Sequence, residues 1–432
     1  MFPPSSKTAT RRTALIMLAC ACLIALSLAP ARAEASSNAD VKRAMTALSG
    51  GAGAYAWNIT DGQGVAARNA GTGRIIASNA KLFTAAAILS RYGTGGRFST
   101  GVHTAGTLTA GTLTGDLYLR GGGDPLFGNA SFVTTNFGSG ATLEKLAQGL
   151  KSAGVRTVTG TIYGDESVFD SRRGTVYSGF SRSSDIGGSL GGLMVNKGFV
   201  NGRWQANPPA FAAQRLRAAL QGVGIRVTSR TGIARTPAGA KRLAWVRSLP
   251  TSALVRQMNK PSNNYLAEML AKALAMPVSA ADDDDDGGQV PLGNSSATTA
   301  SGNSVSRRHA AGFGSMVRLA DGSGLSRSDN AAPREVVDLL RGVHKTVAFT
   351  DFKASLPIAG VDGTLASRMR RGSAYRNCFA KTGTLSNVST LSGYCTTAGG
   401  DLVAFSILQN RVAPAAARAQ QDRVAAQIAA LD

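Results

Sequence analysis

Histidine and cysteine are scarce in this sequence, and their scarcity excludes several kinds of enzyme. The 432 residues include three histidines and four cysteines. His103, His309 and His344 stand in no nucleophile-elbow or zinc-ligand pattern, which argues against a Ser-His-Asp triad and against a zinc peptidase. Any catalysis must therefore rest on other residue types.

Acidic residues are also few, with 25 against 47 lysines and arginines, which gives a formal net charge of +22. Such an excess attracts polyanions, and nucleic acid is the usual partner of so basic a chain. However, no basic cluster is interleaved with aromatic residues in the way that nucleic-acid binding requires. We expect either a solvated basic face or contact with anionic cell-wall polymers or a membrane surface, and no nucleic acid.

The first 33 residues have the pattern of a secretory signal peptide. Basic residues, among them Arg11 and Arg12, precede an apolar run over 14–28, and Ala31-Arg32-Ala33 is a small-x-small cleavage site. The run is short for a membrane span, which disfavours a non-cleaved anchor. Whether export uses a twin-arginine or a general route stays open. We expect export to the periplasm, the cell wall or the extracellular face, with cleavage near Ala33.

Cleavage there removes four basic residues, no acidic residue and two of the four cysteines, which leaves a net charge of +18. The mature chain keeps Cys378 and Cys395. A minimal, even pair in an oxidising compartment predicts one disulfide. If the strands on either side of Ser386-Asn387 pair as a hairpin, opposite positions sum to 773, and the two cysteines meet this condition.

The order of the predicted elements indicates a mixed α and β protein with an interrupted main domain. A helix is predicted from Ser78 to Gly93, and a Gly- and Thr-rich block over 97–244 has the composition of an inserted α/β domain. Residues 34–96 and 245–432 are then the two parts of a discontinuous main domain.

The polar segment 279–310 has low complexity and is predicted to be a mobile loop. Asp282 to Asp286 form an acidic run inside it. The run lacks the glycine and glutamate spacing of a calcium loop, so a solvated acidic stretch is preferred to a metal site. We expect neither metal nor cofactor.

Ser78 and Lys81 form the first of three short motifs. Three residues apart in the first turn of a helix, they lie on one face and within reach of each other. Serine is a poor nucleophile without a base, and a lysine buried in an apolar helix has its ammonium form disfavoured. Lys81 can therefore accept the proton of Ser78.

The other two motifs are Ser262-Asn263-Asn264 and Lys381-Thr382-Gly383. Pro261 makes a break in the helical pattern plausible, and a short turn would direct Ser262 and Asn264 into one cavity. Ser262 can relay a proton, and Asn264 can hold a substrate amide.

In the third motif, Lys381 supplies a fixed positive charge for a terminal carboxylate, and Thr382 adds a hydroxyl. Gly383 lets a substrate backbone approach closely. The N–H groups of Ser78 and Thr384 would form an oxyanion hole.

In this order, the three motifs are the set found in β-lactamases and penicillin-binding proteins. The chain resembles the class C low-molecular-mass penicillin-binding proteins, the D-alanyl-D-alanine carboxypeptidase/endopeptidase family. The resemblance extends to the blocks SNAKLFTAAAIL, LYLRGGGDPLFG, GTIYGDESVFD, PSNNYLAEMLAKAL, DGSGLSR, LPIAGVDGTL and AKTGTLSNVSTLSGY.

The resemblance implies a β-lactamase/transpeptidase-like α/β (α+β) domain, in which helices flank a five-stranded antiparallel sheet interrupted by the inserted domain. It also implies that Ser78 attacks the bond between the last two D-residues of a peptidoglycan stem peptide and is captured covalently by β-lactams. Cleavage of D-alanyl cross-links would follow the same route. Asp165 and Phe169 become candidate subsite residues, although strand-turn packing explains them equally well.

Two other functions stay open. A serine β-lactamase shares the serine and both lysines, but no clear Glu-x-x-Asn for fast deacylation is present, and the 184 residues between the first two motifs fit the peptidases better. A non-catalytic protein that binds cell wall or penicillin is the alternative of another class, and intact Ser78 and Lys81 argue against it.

Overall fold

A computed structural model of the chain describes Met1 and residues 36–277 and 296–432. The predicted signal peptide and the run from Asp282 to Asp286 lie outside the described residues. Within the described ranges, no helix is both long enough and apolar enough to cross a membrane.

The strands belong to a large antiparallel sheet, two sheets in the middle of the chain, and two short ladders. In chain order they are β1 (Gly51–Asn58), β2 (Gln63–Arg68), β3 (Arg74–Ile75), β4 (Ser99–Thr104), β5 (Thr107–Thr109), β6 (Thr112–Thr114), β7 (Leu117–Arg120), β8 (Thr157–Val158), β9 (Ile162–Asp165), β10 (Phe199–Val200), β11 (Arg203–Trp204), β12 (Arg226–Val227), β13 (Thr231–Ile233), β14 (Lys241–Arg247), β15 (Asn330–Ala331), β16 (Cys378–Leu385), β17 (Val388–Thr396) and β18 (Leu402–Asn410).

One α-helix precedes the first strand, and the others lie between the strands or after the last one. In chain order they are α1 (Asn38–Thr46), α2 (Ala80–Tyr92), α3 (Ala130–Phe137), α4 (Leu143–Ser152), α5 (Pro208–Gly222), α6 (Thr251–Asn259), α7 (Asn264–Ala273), α8 (Thr299–Ala311), α9 (Pro333–His344), α10 (Phe349–Ser355) and α11 (Pro414–Ala429).

The large sheet has the order β16-β17-β18-β1-β2, and every neighbouring pair is antiparallel. Its two faces bury different side chains because successive residues of a strand point to opposite sides. In β18, Phe405 and Ile407 join a core that includes residues of α1 and α11, whereas Ala404 and Leu408 join the core that includes α2, α6, α7 and α9. The predicted five-stranded antiparallel sheet flanked by helices is confirmed.

Apart from the short β10–β11 ladder, the strands over 99–247 form two further sheets. One has the order β13-β9-β7-β4-β14 and mixes parallel with antiparallel pairs, and the other has the order β12-β8-β6-β5. The amphipathic helices α4 and α5 cover them with a core of leucines that includes Leu146, Leu150 and Leu216. The last strand of this block ends at Arg247, three residues beyond the predicted end of the insertion.

The hairpin β16–β17 has the predicted register. Leu385 pairs with Val388, so Ser386 and Asn387 form a two-residue turn, and Cys378 stands opposite Cys395. The two cysteines are bonded as a disulfide with their Cα atoms 4.0 Å apart. The predicted disulfide is confirmed, and it joins the first residue of β16 to its neighbour strand.

The prediction of a loop over the whole of 279–310 is wrong for its last part, because residues 299–311 form α8. Thr298 and Ser301 make a capping box at its start, which satisfies backbone N–H groups that have no partner inside the helix. Gly302 lies against α7, where a Cβ atom would come within 1.7 Å of the carbonyl oxygen of Ala271. Small residues therefore let α8 pack closely on α7, which sequence propensity does not reveal.

Candidate active site

Ser78 lies at the start of α2, in a single 3-10 turn over Ala77–Asn79. The preceding residue, Ala77, has a left-handed backbone with φ of 46°, a conformation that costs a residue with a Cβ about 1–2 kcal/mol. Two glycines allow other segments to approach this turn. A Cβ on Gly324 would lie 1.8 Å from the Ala77 carbonyl oxygen, and one on Gly383 would lie 3.0 Å from the Ser78 nitrogen.

Lys81 is fully buried one helical turn after Ser78. Its Nζ donates to the Ser78 Oγ at 3.0 Å, to the Asn264 Oδ1 at 2.7 Å and to the carbonyl oxygen of Ser323 at 2.7 Å. These contacts bring together the first two motifs, which are 184 residues apart, and they add Ser323.

Burial lowers the pKa of Lys81 to about 8, although nearby carboxylates (Asp321, Glu268 and Asp329) oppose the shift. Taking a charged ammonium out of water is costly, so the neutral amine gains population in the protein. At neutral pH a useful fraction of Lys81 can therefore accept a proton from Ser78, as the sequence suggested.

The second motif lies in the turn between α6 and α7. Ser262 has a left-handed backbone with φ of 61°, and Asn263 caps α7 by accepting a hydrogen bond from the Leu266 N–H at 3.0 Å. Asn264 is then the first residue of α7. The predicted break after Pro261 is confirmed, and it directs Ser262 toward Lys381 and Asn264 toward Lys81.

Lys381 is fully buried in β16. Its Nζ donates to the Ser262 Oγ at 2.8 Å and to the Thr382 carbonyl oxygen at 2.9 Å. Burial lowers the pKa of Lys381 well below its usual value, and the neighbouring charge of Lys81 lowers it further. The third motif therefore contacts the second through the hydrogen bond from Lys381 to Ser262. Lys81 and Lys381 consequently belong to the same site.

Three buried carboxylates near Lys81 were not identified from the sequence as site residues. They are Glu268, Asp321 and Asp329, all with no exposed surface. Burial raises the pKa of Glu268 and of Asp329, and the adjacent Asp321 raises both further. One available signal is spacing, since Glu268 follows Asn264 by four residues on the same helix and so shares its face.

Sequence analysis also missed Asp185. Its backbone carbonyl oxygen accepts a hydrogen bond from the Asn264 Nδ2 at 2.8 Å. Both ends of the Asn264 amide are thus engaged, one by Lys81 and the other by a loop between β9 and β10. A substrate carbonyl that takes the Nδ2 hydrogen bond would replace that of Asp185.

Asp165 and Phe169 are not brought to Ser78. The Asp165 carboxylate accepts hydrogen bonds from the Ser167 N–H and from the N–H and hydroxyl of Thr236, and Phe169 is 2% exposed. Both line a separate cavity whose lining includes neither Ser78 nor Lys81. The subsite function of these two residues stays a prediction.

Comparison with known proteins gives a family and a fold. The model of the D-Ala-D-Ala carboxypeptidase 3 (S13) family matches residues 37–181 and 181–431. The chain is 29% identical over 452 residues to the D-alanyl-D-alanine carboxypeptidase of Actinomadura sp. (strain R39). This alignment covers 85% of this chain and 79% of that protein. It is 32% identical over 201 residues to the D-alanyl-D-alanine carboxypeptidase DacB of Haemophilus influenzae, over 46% of this chain and 40% of that one.

The crystal structure of penicillin binding protein 4 (dacB) from Haemophilus influenzae has the same fold. It superposes with a TM-score of 0.68 at 21% identity, over 90% of this chain and 97% of that one. A second crystal structure of the same protein, complexed with a β-lactam, superposes with a TM-score of 0.67 at 22% identity over the same shares of both chains.

Proposed function

Because the chain belongs to the D-Ala-D-Ala carboxypeptidase 3 (S13) family, we propose that Ser78 is its nucleophile and Lys81 the general base. The chain is a serine-type D-alanyl-D-alanine carboxypeptidase that acts on peptidoglycan, and the function expected from the sequence is confirmed. The observation that carries the assignment of residues is the distance of 3.0 Å between the Lys81 Nζ and the Ser78 Oγ.

The first half of the reaction forms an acyl-enzyme. Neutral Lys81 takes the hydroxyl proton of Ser78 while the Oγ bonds to the carbonyl carbon of the penultimate D-alanine. The negative charge on the carbonyl oxygen is held by the N–H groups of Ser78 and Thr384, and one such donor contributes about 3 kcal/mol. The C–N bond then breaks, and the amine of the last D-alanine leaves with a proton relayed through Ser262.

The second half returns the free enzyme. Water adds to the ester on Ser78 and loses a proton to the base, and the shortened peptide departs. The same chemistry captures a β-lactam, whose ring amide replaces the peptide bond. A protein of this fold has been crystallised in complex with a β-lactam, which supports β-lactam binding as part of this proposal.

The substrate carboxylate is assigned to Lys381 and Thr382. Burial lowers the pKa of Lys381, and the negative charge of a bound carboxylate would favour its ammonium form again. The Thr382 hydroxyl is hydrogen bonded to that of Thr364 at 2.7 Å, so its orientation is fixed. A charge-assisted hydrogen bond is about twice as strong as a neutral one, which favours a peptide that ends in a free carboxylate.

We also propose that residues 34–96 and 245–432 form the catalytic domain and 97–244 the inserted domain. The two parts of the proposed catalytic domain share the large sheet, since β1 and β2 pair beside β18. Asp165 and Phe169 would influence the stem-peptide side chain from the inserted domain. Asp165→Asn should then change kcat/KM between stem peptides that differ at the third residue, without a uniform loss for all of them.

The basic surface is proposed to hold the exported enzyme near anionic cell-wall polymers or the membrane surface. The support is the net charge of +18 that remains after removal of the predicted signal peptide. Attraction between exposed charges is screened over about 8–10 Å at physiological salt. Sedimentation with vesicles of anionic lipid, or with purified anionic wall polymer, should therefore be lost as salt is raised.

Release of D-alanine tests the assignment. The parent protein should release D-alanine from a stem pentapeptide that ends in D-Ala-D-Ala, and Ser78→Ala and Lys81→Met should release none. Cleavage of a cross-linked muropeptide dimer measures endopeptidase activity in the same samples. Rapid, repeated turnover of a chromogenic cephalosporin would instead favour the β-lactamase alternative.

A further inference from the structure

The segment 320–326 contacts Lys81 through the Ser323 carbonyl oxygen, and its backbone is hydrogen bonded to buried carboxylates. Six backbone N–H groups in this segment donate to the side chains of Glu268, Asp321 and Asp329. The same segment provides the Ser323 carbonyl oxygen that accepts from Lys81 at 2.7 Å. The carboxylates thus fix the position of a group that contacts the proposed base.

Glu268 and Asp321 hold Ser323 from its two sides: Asp321 Oδ1 accepts from the Gly324 N–H of the same peptide unit at 2.6 Å, and Glu268 accepts from the two preceding N–H groups. The Glu268 Oε1 accepts from the Ser323 N–H at 2.8 Å and from the Gly322 N–H at 3.1 Å, and its Oε2 accepts from the Gly322 N–H at 3.1 Å. Glu268 is part of α7, the helix that also carries Asn264. One helix therefore positions two of the three acceptors around the Lys81 Nζ, Asn264 directly and Ser323 through Glu268.

These acceptors differ in what they can do when Lys81 is neutral. A neutral amine keeps two N–H donors and one lone pair. A carbonyl oxygen can only accept a hydrogen bond, so the Asn264 Oδ1 and the Ser323 oxygen take the two N–H groups. The lone pair is then directed at the Ser78 hydroxyl, which can donate its proton.

We propose that Glu268 is a positioning residue for acylation, which holds the Ser323 carbonyl on Lys81 and thereby orients the lone pair of the amine toward Ser78. This inference rests on the proposed function of Ser78 and Lys81. Burying carboxylates is costly, and a neutral side chain could cap the same turn at lower cost. Burial raises the pKa of Glu268 to about 8, close to that of Lys81, so the carboxyl group and the amine titrate in the same pH range and their charges are linked.

The charged groups around Lys81 come from several elements. Glu268 faces it from α7, Asp321 and Asp329 face it from the segment between α8 and α9, and Lys381 faces it from β16. The carboxylates favour the ammonium form of Lys81, and the charge of Lys81 lowers the pKa of Lys381. Removing the charge of Glu268 should therefore lower the pKa of Lys81.

Two substitutions separate position from charge, and the rate constant for acylation by a penicillin, measured from pH 5 to 10, is the readout. In Glu268→Gln the length is kept and the charge is lost. The high-pH plateau should fall about tenfold to a hundredfold because the carbonyl is less well held, and the midpoint of the acid limb should move about one pH unit lower. In Glu268→Asp the charge is kept and the reach is lost, so the plateau should fall with the midpoint unchanged.

Glu335→Gln is the matched control. The Glu335 carboxylate accepts from the Ala332 N–H at 2.6 Å at the start of α9, so the variant neutralises a carboxylate that likewise accepts from a backbone N–H. Plateau and midpoint should stay at the parent values. In Glu268→Gln, a structural effect alone would lower the plateau of the acylation rate without moving the midpoint of its acid limb.

The proposal is overturned if Glu268→Gln keeps the parent rate at every pH, or if its midpoint does not move. If Glu268→Gln does not fold, Glu268→Asp decides through its dependence on penicillin concentration. A lower plateau with the half-saturating concentration of penicillin at the parent value supports the proposal; a parent-like plateau, or a fall accompanied by a change in that concentration, overturns it. Failure of the proposed function is distinguishable, because in that case the parent itself would form no adduct on Ser78.

Discussion

A single methyl group added at Gly383 should slow acylation by displacing the turn that carries Ser78. A Cβ there would lie 2.2 Å from the Thr390 Oγ1 and 3.0 Å from both the Ile76 carbonyl oxygen and the Ser78 nitrogen. Thr390 is fully buried and donates to the Ile76 oxygen at 3.1 Å. In Gly383→Ala, β16 or the turn that carries Ser78 must therefore move by roughly 1 Å to restore ordinary contact distances, a displacement that costs about a hundredfold in rate.

The hundredfold loss corresponds to about 2.7 kcal/mol in the activation free energy, and overpacking should lower the free energy of unfolding by about 1–3 kcal/mol. The assay is the second-order rate constant for acylation by a labelled penicillin, beside thermal unfolding. Gly71→Ala is the matched control, since a Cβ there has nothing within 4 Å and its φ is not positive. Gly383→Ala/Thr390→Ala removes the closest contact and should recover part of the rate. A parent-like rate in Gly383→Ala would refute the argument that β16 sets the position of Ser78.

The remaining predictions concern pH, the substrate carboxylate and the disulfide. Because burial lowers the pKa of Lys81 to about 8 and the neutral amine is the base, acylation should rise about tenfold from pH 6 to pH 7 and level off above pH 9; a flat profile over this range would contradict the role of Lys81. Lys381→Met should lower kcat/KM about 10- to 100-fold for a stem peptide with a free terminal carboxylate, and it should abolish the preference of the parent for that peptide over its C-terminal amide, so a preserved preference would place the carboxylate elsewhere. Cys378→Ala/Cys395→Ala removes a disulfide with a sequence separation of 17 and should lower the free energy of unfolding by about 3 kcal/mol. Release of D-alanine should be retained. Loss of activity in the folded variant would show that the disulfide contributes to catalysis and not only to stability.

The parts of the site that depend on local geometry could be predicted from the sequence. Ser78 and Lys81 are three residues apart on a helix, and the hairpin register places Cys378 opposite Cys395. Such short-range relations follow from the periodicity of a helix or a strand pair. The three motifs then had to converge on one centre, and the hydrogen bonds from Lys81 and Lys381 show that they do.

The parts that depend on tertiary packing could not be predicted. Glu268, Asp321 and Asp329 look like ordinary charged residues until the fold buries them together around the segment 320–326. In the same way, the serines, Gly302 and Asn303 give α8 a weak helix propensity, and its packing against α2 and α7 overrides that weakness. Asp185 illustrates a third limit, because its contribution is a backbone carbonyl, which any residue type could supply.

The most direct test of the account is the intact mass of the protein after reaction with a penicillin. The parent should gain the mass of one ring-opened penicillin, and a peptide that contains Ser78 should carry it. Ser78→Ala should gain nothing at the same concentration and time, while its thermal unfolding stays close to that of the parent. An adduct that persists on folded Ser78→Ala would contradict the assignment of Ser78 as the nucleophile.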